Sequence, residues 1–141
     1  MRLRAIRGAI TVDGDERDAI LDGTEELVQA VLERNEVDPI LAATRELMTQ
    51  LMERNELVPD QMVSCIFTCT NDLDAEFPAV AARRLGLSAV PLLCAREIDV
   101  PGALPRVIRL LLHCYANPDS EPRHVYLREA ESLRRDLQGA Q

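Results

Sequence analysis

Apolar and polar positions alternate along MRLRAIRGAITV, with β-branched residues gathered at its end. A period of two with that enrichment predicts a strand over Arg2–Val12. VDGDERD follows as a turn whose acids suit a helix start. The period then changes. Ile20, Leu21, Leu27, Val28, Val31 and Leu32 fall on one helical face, and Ile40, Leu41, Leu47, Met48, Leu51 and Met52 do so again at an offset of twenty. Asp18–Val37 and Asp38–Leu57 agree at ten of twenty positions, including a shared ERNE. Two unrelated amphipathic helices would share a face but not that ending, so residues 18–57 read as one helix written twice. Asp38-Pro39 offers an N-cap and an N1 proline, and the residue before a proline avoids the α region, so two helices are expected rather than one rod.

The period of two returns in Gln61–Thr70, a strand with Cys65, Phe67 and Cys69 on one side. Phe77-Pro78 opens a short helix that Gly86 can end. Ser88–Ala95 reads as a strand in which Pro91 marks an edge or a bulge. Arg106–Tyr115 is a long strand, and Arg123–Leu127 a last short one. The order predicts an α/β fold in one domain spanning residues 1–141: a single mixed β-sheet with helices packed on one face. The repeat sits uneasily in it. Two antiparallel helices return the chain to the wrong end of the sheet. A helix of that length is about 27 Å long, and residues 56–61 span at most about 20 Å.

Composition narrows the function classes. With 47% hydrophobic and 28% charged residues the chain is an ordinary globular protein. It has no run of eighteen apolar residues and no signal-peptide h-region, so the cytoplasm is the expected place. A net charge of −8 with 3% aromatics argues against a nucleic-acid surface. A local arginine cluster can still hold a small anion, because a cleft's field is set by its own lining. The four cysteines lie in apolar stretches without zinc-ligand spacing, and are read as buried thiols.

The candidate chemistry is a set of arginines and one acid. Arg109 sits inside VIRLLL, where a guanidinium must be paired or line a cleft. Glu97 follows an apolar strand at its C-terminal end, a usual place for site residues in α/β sheets. Arg7, Arg83, Tyr126 and Arg134 complete the set. No hydroxyl or thiol stands in a nucleophile motif, and no glycine-rich phosphate loop is present. Such a site suits a substrate with two carboxylates and a reaction driven by orientation and electrostatics.

RAIRGAITV, DLDAEFPAVAARRLG, VPLLCAREIDVPGALPRVIR and RHVYLREAESLRRDL resemble, in order and spacing, the trimeric α/β (AroH-type) chorismate mutases. The resemblance covers essentially everything outside one copy of the repeat. It implies a homotrimeric pseudo-barrel with active sites between subunits. It further implies a cofactor-free pericyclic rearrangement of chorismate to prephenate, in phenylalanine and tyrosine biosynthesis. By position, Arg109 would face the breaking ether oxygen, Arg7 a substrate carboxylate, and Tyr126 would add a hydrogen bond. Glu97 and the backbone at Cys94 would meet the ring hydroxyl. Phe77, Ala79, Leu92, Leu93 and Leu133 would line the site, and Arg83 and Arg134 would draw in the dianion. Two alternatives stay open at this point: a non-catalytic protein of the same fold whose duplication has spoiled the clefts, and a Rid-type imine deaminase.

Overall fold

The computed structural model describes residues 1–12 and 38–134. The first copy of the repeat, the turn before it and the C-terminal residues 135–141 lie outside the described residues. Five strands form one sheet: β1 (Arg2–Thr11), β2 (Met62–Cys69), β3 (Leu92–Arg96), β4 (Val107–Ala116) and β5 (Val125–Leu127), in the order β3-β2-β4-β1-β5. The sheet is mixed: β4 is antiparallel to β1 and β2, while β3 runs parallel to β2 and β5 parallel to β1. Helices α1 (Asp38–Arg54) and α2 (Ala79–Arg84) precede the last strands, and residues 131–134 are helical after β5. Among the described residues, no helix is long and apolar enough to cross a membrane.

The helix expected over Asp38–Leu57 is α1, which ends at Arg54. Its predicted face is the buried one: Ile40, Leu41, Leu47, Met48 and Leu51 are buried, with Met52 packed against the same core. Thr44 is also fully buried, and its hydroxyl donates to the Ile40 carbonyl at 2.7 Å. Gly8 of β1 lets α1 approach the sheet. A Cβ added there would lie 3.2 Å from Leu47 Cδ1 and 3.4 Å from Leu51 Cδ1. Ile6, Ile10, Phe67, Ile108, Leu110 and Leu112 supply the sheet side of this core.

The shared ERNE has a local structural reason in α1. Leu57 N–H donates to the Met52 carbonyl and Glu56 N–H to the Glu53 carbonyl, with Glu56 at φ 52. This is a Schellman stop made without glycine. Asn55 adds a side-chain bond to the Leu51 carbonyl, and exchanges two bonds with the Arg123 backbone at 2.8 and 2.9 Å. The helix end is thereby clamped to the segment that leads into β5. From there a single 3₁₀ turn, Pro59–Gln61, enters β2. The described chain therefore passes directly from the docked copy to its strand.

Two strand boundaries differ from expectation. Residues 88–91 are not strand: β3 begins after Pro91, whose carbonyl accepts from Cys65 N–H at 3.0 Å. Proline cannot donate to a ladder, so it opens the edge strand instead of lying within it. Arg123 and His124 precede β5, because side chains use their polar groups. Asn55 holds the Arg123 backbone, and His124 Nδ1 accepts the Arg7 N–H at 2.9 Å.

Candidate active site

Helices α1 and α2 cover one face of the sheet, and the other face carries the chemistry. Register explains why. Thr68 of β2 lies opposite Arg109 of β4, Arg109 opposite Ala9 of β1, and Ala9 opposite Tyr126 of β5. The neighbouring row runs Leu93, Ile66, Leu111 and Arg7. Along β4, Ile108, Leu110 and Leu112 point into the core, so Arg109 and Leu111 must point away from it. This resolves Arg109's place among apolar neighbours: the alternation turns it out of the core.

A cleft of about 500 Å³ opens on that face, lined by Arg7, Arg109, Glu97, Tyr126 and Leu133, with Thr68 at its floor. Glu97 comes directly after the last residue of β3 and continues the ladder, its N–H donating to the Cys69 carbonyl at 2.9 Å. Its carboxylate meets Arg109 in a two-point pair, from Nε to Oε1 at 2.6 Å and from Nη2 to Oε2 at 2.5 Å. The Thr68 hydroxyl donates to the same Oε1. The Arg109 hydrogen bonds hold the Glu97 carboxyl below its ordinary range, with Thr68 assisting and burial opposing. Glu97 in turn holds Arg109 in its charged form. The side chain of Arg109 remains 53% exposed, so this forked cation is still open to a ligand.

The thiols nearby do not supply a nucleophile. Burial pushes Cys65 and Cys69 each up to about 12, so both are neutral at physiological pH. No imidazole stands beside them in a base-and-nucleophile pair. His124 is tied to the Arg7 backbone, and His113 faces Ser64 at 3.3 Å on the open face of the sheet. What the cleft offers is fixed positive charge, one fixed carboxylate and a phenol.

Of the twelve residues expected at the site, five converge on this cleft: Arg7, Glu97, Arg109, Tyr126 and Leu133. The other seven do not line it within the chain. Phe77 is 65% and Leu93 60% exposed, and Arg83 and Arg134 are exposed as well. The Ala79 side chain is part of the main core. Leu92 and Cys94 likewise turn their side chains to the core, leaving only backbone for a ligand. Thr68 and Arg96 line the cleft and were missed. Thr68 was legible: Cys65, Phe67 and Cys69 face the core, so the threonine between them faces the other way.

Comparison with known proteins agrees with this geometry. The family model described as chorismate mutase type I matches residues 3–40 and 33–137. The chain belongs to the chorismate mutase type I family. It is 45% identical over 140 residues to chorismate mutase AroH of Thermus thermophilus, covering 99% of each chain. It is 34% identical over 139 residues to chorismate mutase AroH of Bacillus subtilis, covering 97% of this chain and 94% of that one. Among solved structures, a chorismate mutase from Clostridium thermocellum superposes with a TM-score of 0.72 at 39% identity, covering 92% of this chain and 98% of that one.

Proposed function

We propose that this chain is a chorismate mutase, isomerising chorismate to prephenate in aromatic amino-acid biosynthesis. The observation that carries the reading is the convergence of Arg7, Arg109 and Glu97 on one cleft of a family member. The reaction breaks an ether C–O bond as a C–C bond forms, and negative charge grows on the ether oxygen. Arg109 is the donor for that oxygen, Arg7 binds a carboxylate and Glu97 accepts from the ring hydroxyl. Tyr126 adds a hydrogen bond beside them. A rearrangement of this kind needs no nucleophile, and catalysis comes from orientation and from donors placed where charge develops. Loss of chorismate absorbance on adding protein, with prephenate as product, is the expected result. Intact chorismate at high enzyme concentration would overturn the reading.

The active assembly is a trimer with shared sites. Leu3, Val63, Leu93 and Tyr115 are exposed by 39–60%. A face with this much exposed apolar area favours burial against another copy. Phe77 and Arg83 belong, on this reading, to the site of an adjacent subunit. Solution mass should correspond to three chains. Mixing Arg109→Ala with Arg83→Ala chains should restore part of the activity either variant lacks, because mixed interfaces regain one intact cleft. A fully active monomer would refute the shared site.

The repeat is an internal duplication outside the chemistry. Every buried apolar position of α1 has an apolar counterpart or glycine twenty residues earlier, and Thr44, Glu46 and Asn55 are matched by Thr24, Glu26 and Asn35. The two matched segments of the family model overlap at residues 33–40, as a pattern that fits either copy would. Deleting Asp18–Val37 should leave the docked helix and activity intact, and deleting Asp38–Leu57 should let the first copy take its slot. Turnover and melting temperature of both shortened chains measure this. Loss of folding on removing Asp18–Val37 would give that copy a structural role of its own.

A further inference from the structure

Glu97 has two different supports, and the reaction would take one of them away. Among the described residues its Oε2 accepts only from Arg109, whereas Oε1 accepts from both Arg109 and Thr68. The roles assigned above require Arg109 to turn part of its donor fork to the ether oxygen. A carboxylate held by Arg109 alone would then lose its anchor at the moment it has to accept from the ring hydroxyl. Thr68 has no such conflict. It lies on β2 directly opposite Arg109 and beside Ala95 of β3, inside the sheet, where its backbone is fixed by ladders on both sides. Its neighbour Cys69 accepts the Glu97 N–H, so the backbone and the side chain of Glu97 are held by consecutive residues of one strand.

We propose that Thr68 is a positioning residue of the mutase: its hydroxyl keeps the Glu97 carboxylate ionised and aimed into the cleft when Arg109 is engaged by substrate. This inference rests on the functional reading above. The other groups around Glu97 do not replace the hydroxyl. Arg7 from β1, Tyr126 from β5 and Arg96 from β3 line the cleft, and make no described hydrogen bond to Glu97. On the opposite side, Asp72 and Asp99 share a small hollow with it, and like charge there disfavours a second carboxylate. Asp72 is itself engaged by the Arg106 backbone N–H at 3.0 Å.

Thr68→Val keeps the shape and removes the donor, and Thr68→Ser restores the donor without the methyl. A hydrogen bond to a charged group is large enough that its loss should lower kcat on the order of tenfold, with KM changed less. The sign of the pH effect follows. Thr68 favours the charged carboxylate, so its removal moves the Glu97 midpoint upward, and the acid limb of kcat/KM should move to higher pH. Thr68→Ser should return both kcat and the acid limb toward wild type. A packing role alone would change stability without moving the acid limb.

The link can also be read without substrate. The Glu97 side-chain carboxyl, followed by ¹³C NMR in the free protein, should titrate at higher pH in Thr68→Val than in wild type or Thr68→Ser. If wild type turns over chorismate and the Thr68→Val midpoint and acid limb stay in place, the positioning role is overturned. If wild type fails to turn over chorismate while the midpoint moves, the link to Glu97 stands and the functional reading fails.

Discussion

Arg109→Ala is expected to lower kcat by about 10²–10³-fold, the usual cost of one donor aimed at a developing oxyanion, or about 2.7–4 kcal/mol. The residue leaves the core by strand alternation, and its side chain is more than half exposed in the cleft. Its removal should therefore spare the fold. The Arg109 side of its ion pair with Glu97 is open to water, while the Glu97 side chain is only 14% exposed. The same variant also frees Glu97 from its strongest partner. The Glu97 midpoint should rise, and the residual activity should be lost at higher pH than in wild type as the solution is acidified. Steady-state kinetics with circular dichroism separates the two effects. A variant with near-normal kcat would remove Arg109 from its assigned role.

Leu47→Ala should have the largest effect on stability, about 2–5 kcal/mol, because truncating a fully buried leucine adds a cavity to the lost burial. Leu47 is 0% exposed and fits against the sheet at Gly8, where backbone and side chain are already in contact range. On the proposed duplication, this should be measured in two chains. In the full chain Leu27 stands at the matching position of the first copy, so exchange of copies could offset the loss. In a chain lacking Asp18–Val37 no substitute exists, and the full cost should appear. Denaturant unfolding at one fixed protein concentration, with and without that deletion, reads both numbers. A shortened chain that loses less than about 1 kcal/mol would mean that α1 is not held to the sheet as described. Equal losses in the two chains would mean that the first copy cannot take the slot.

The sequence by itself determined the elements and their faces. The change from a period of two to 3.6 and back located β1, α1, β2 and β4, because burying one face of an element imposes its period on the residues. The apolar neighbours of Arg109 marked it as paired or cleft-lining, and strand alternation puts both it and Thr68 on the face away from the core. Gly86, at φ 102, marked the end of α2 by conformation alone. Tertiary structure decided what one element's pattern cannot contain. Strand order is one such thing: β4 lies between β1 and β2, which brings Arg7 beside Leu111 and Arg109 beside Thr68 across large sequence separations. The fate of short polar segments is another. Arg123 and His124 read as strand, yet Asn55 and Arg7 claim their polar groups. The repeat shows the division most sharply. Apolar spacing made residues 18–37 and 38–57 candidates for the same slot, while contacts with Gly8, Arg123 and Arg128 show α1 and its C-terminal end docked there. Periodicity fixes which face of a helix is buried. Only the partner surface, assembled from distant parts of the chain, fixes where that face is buried.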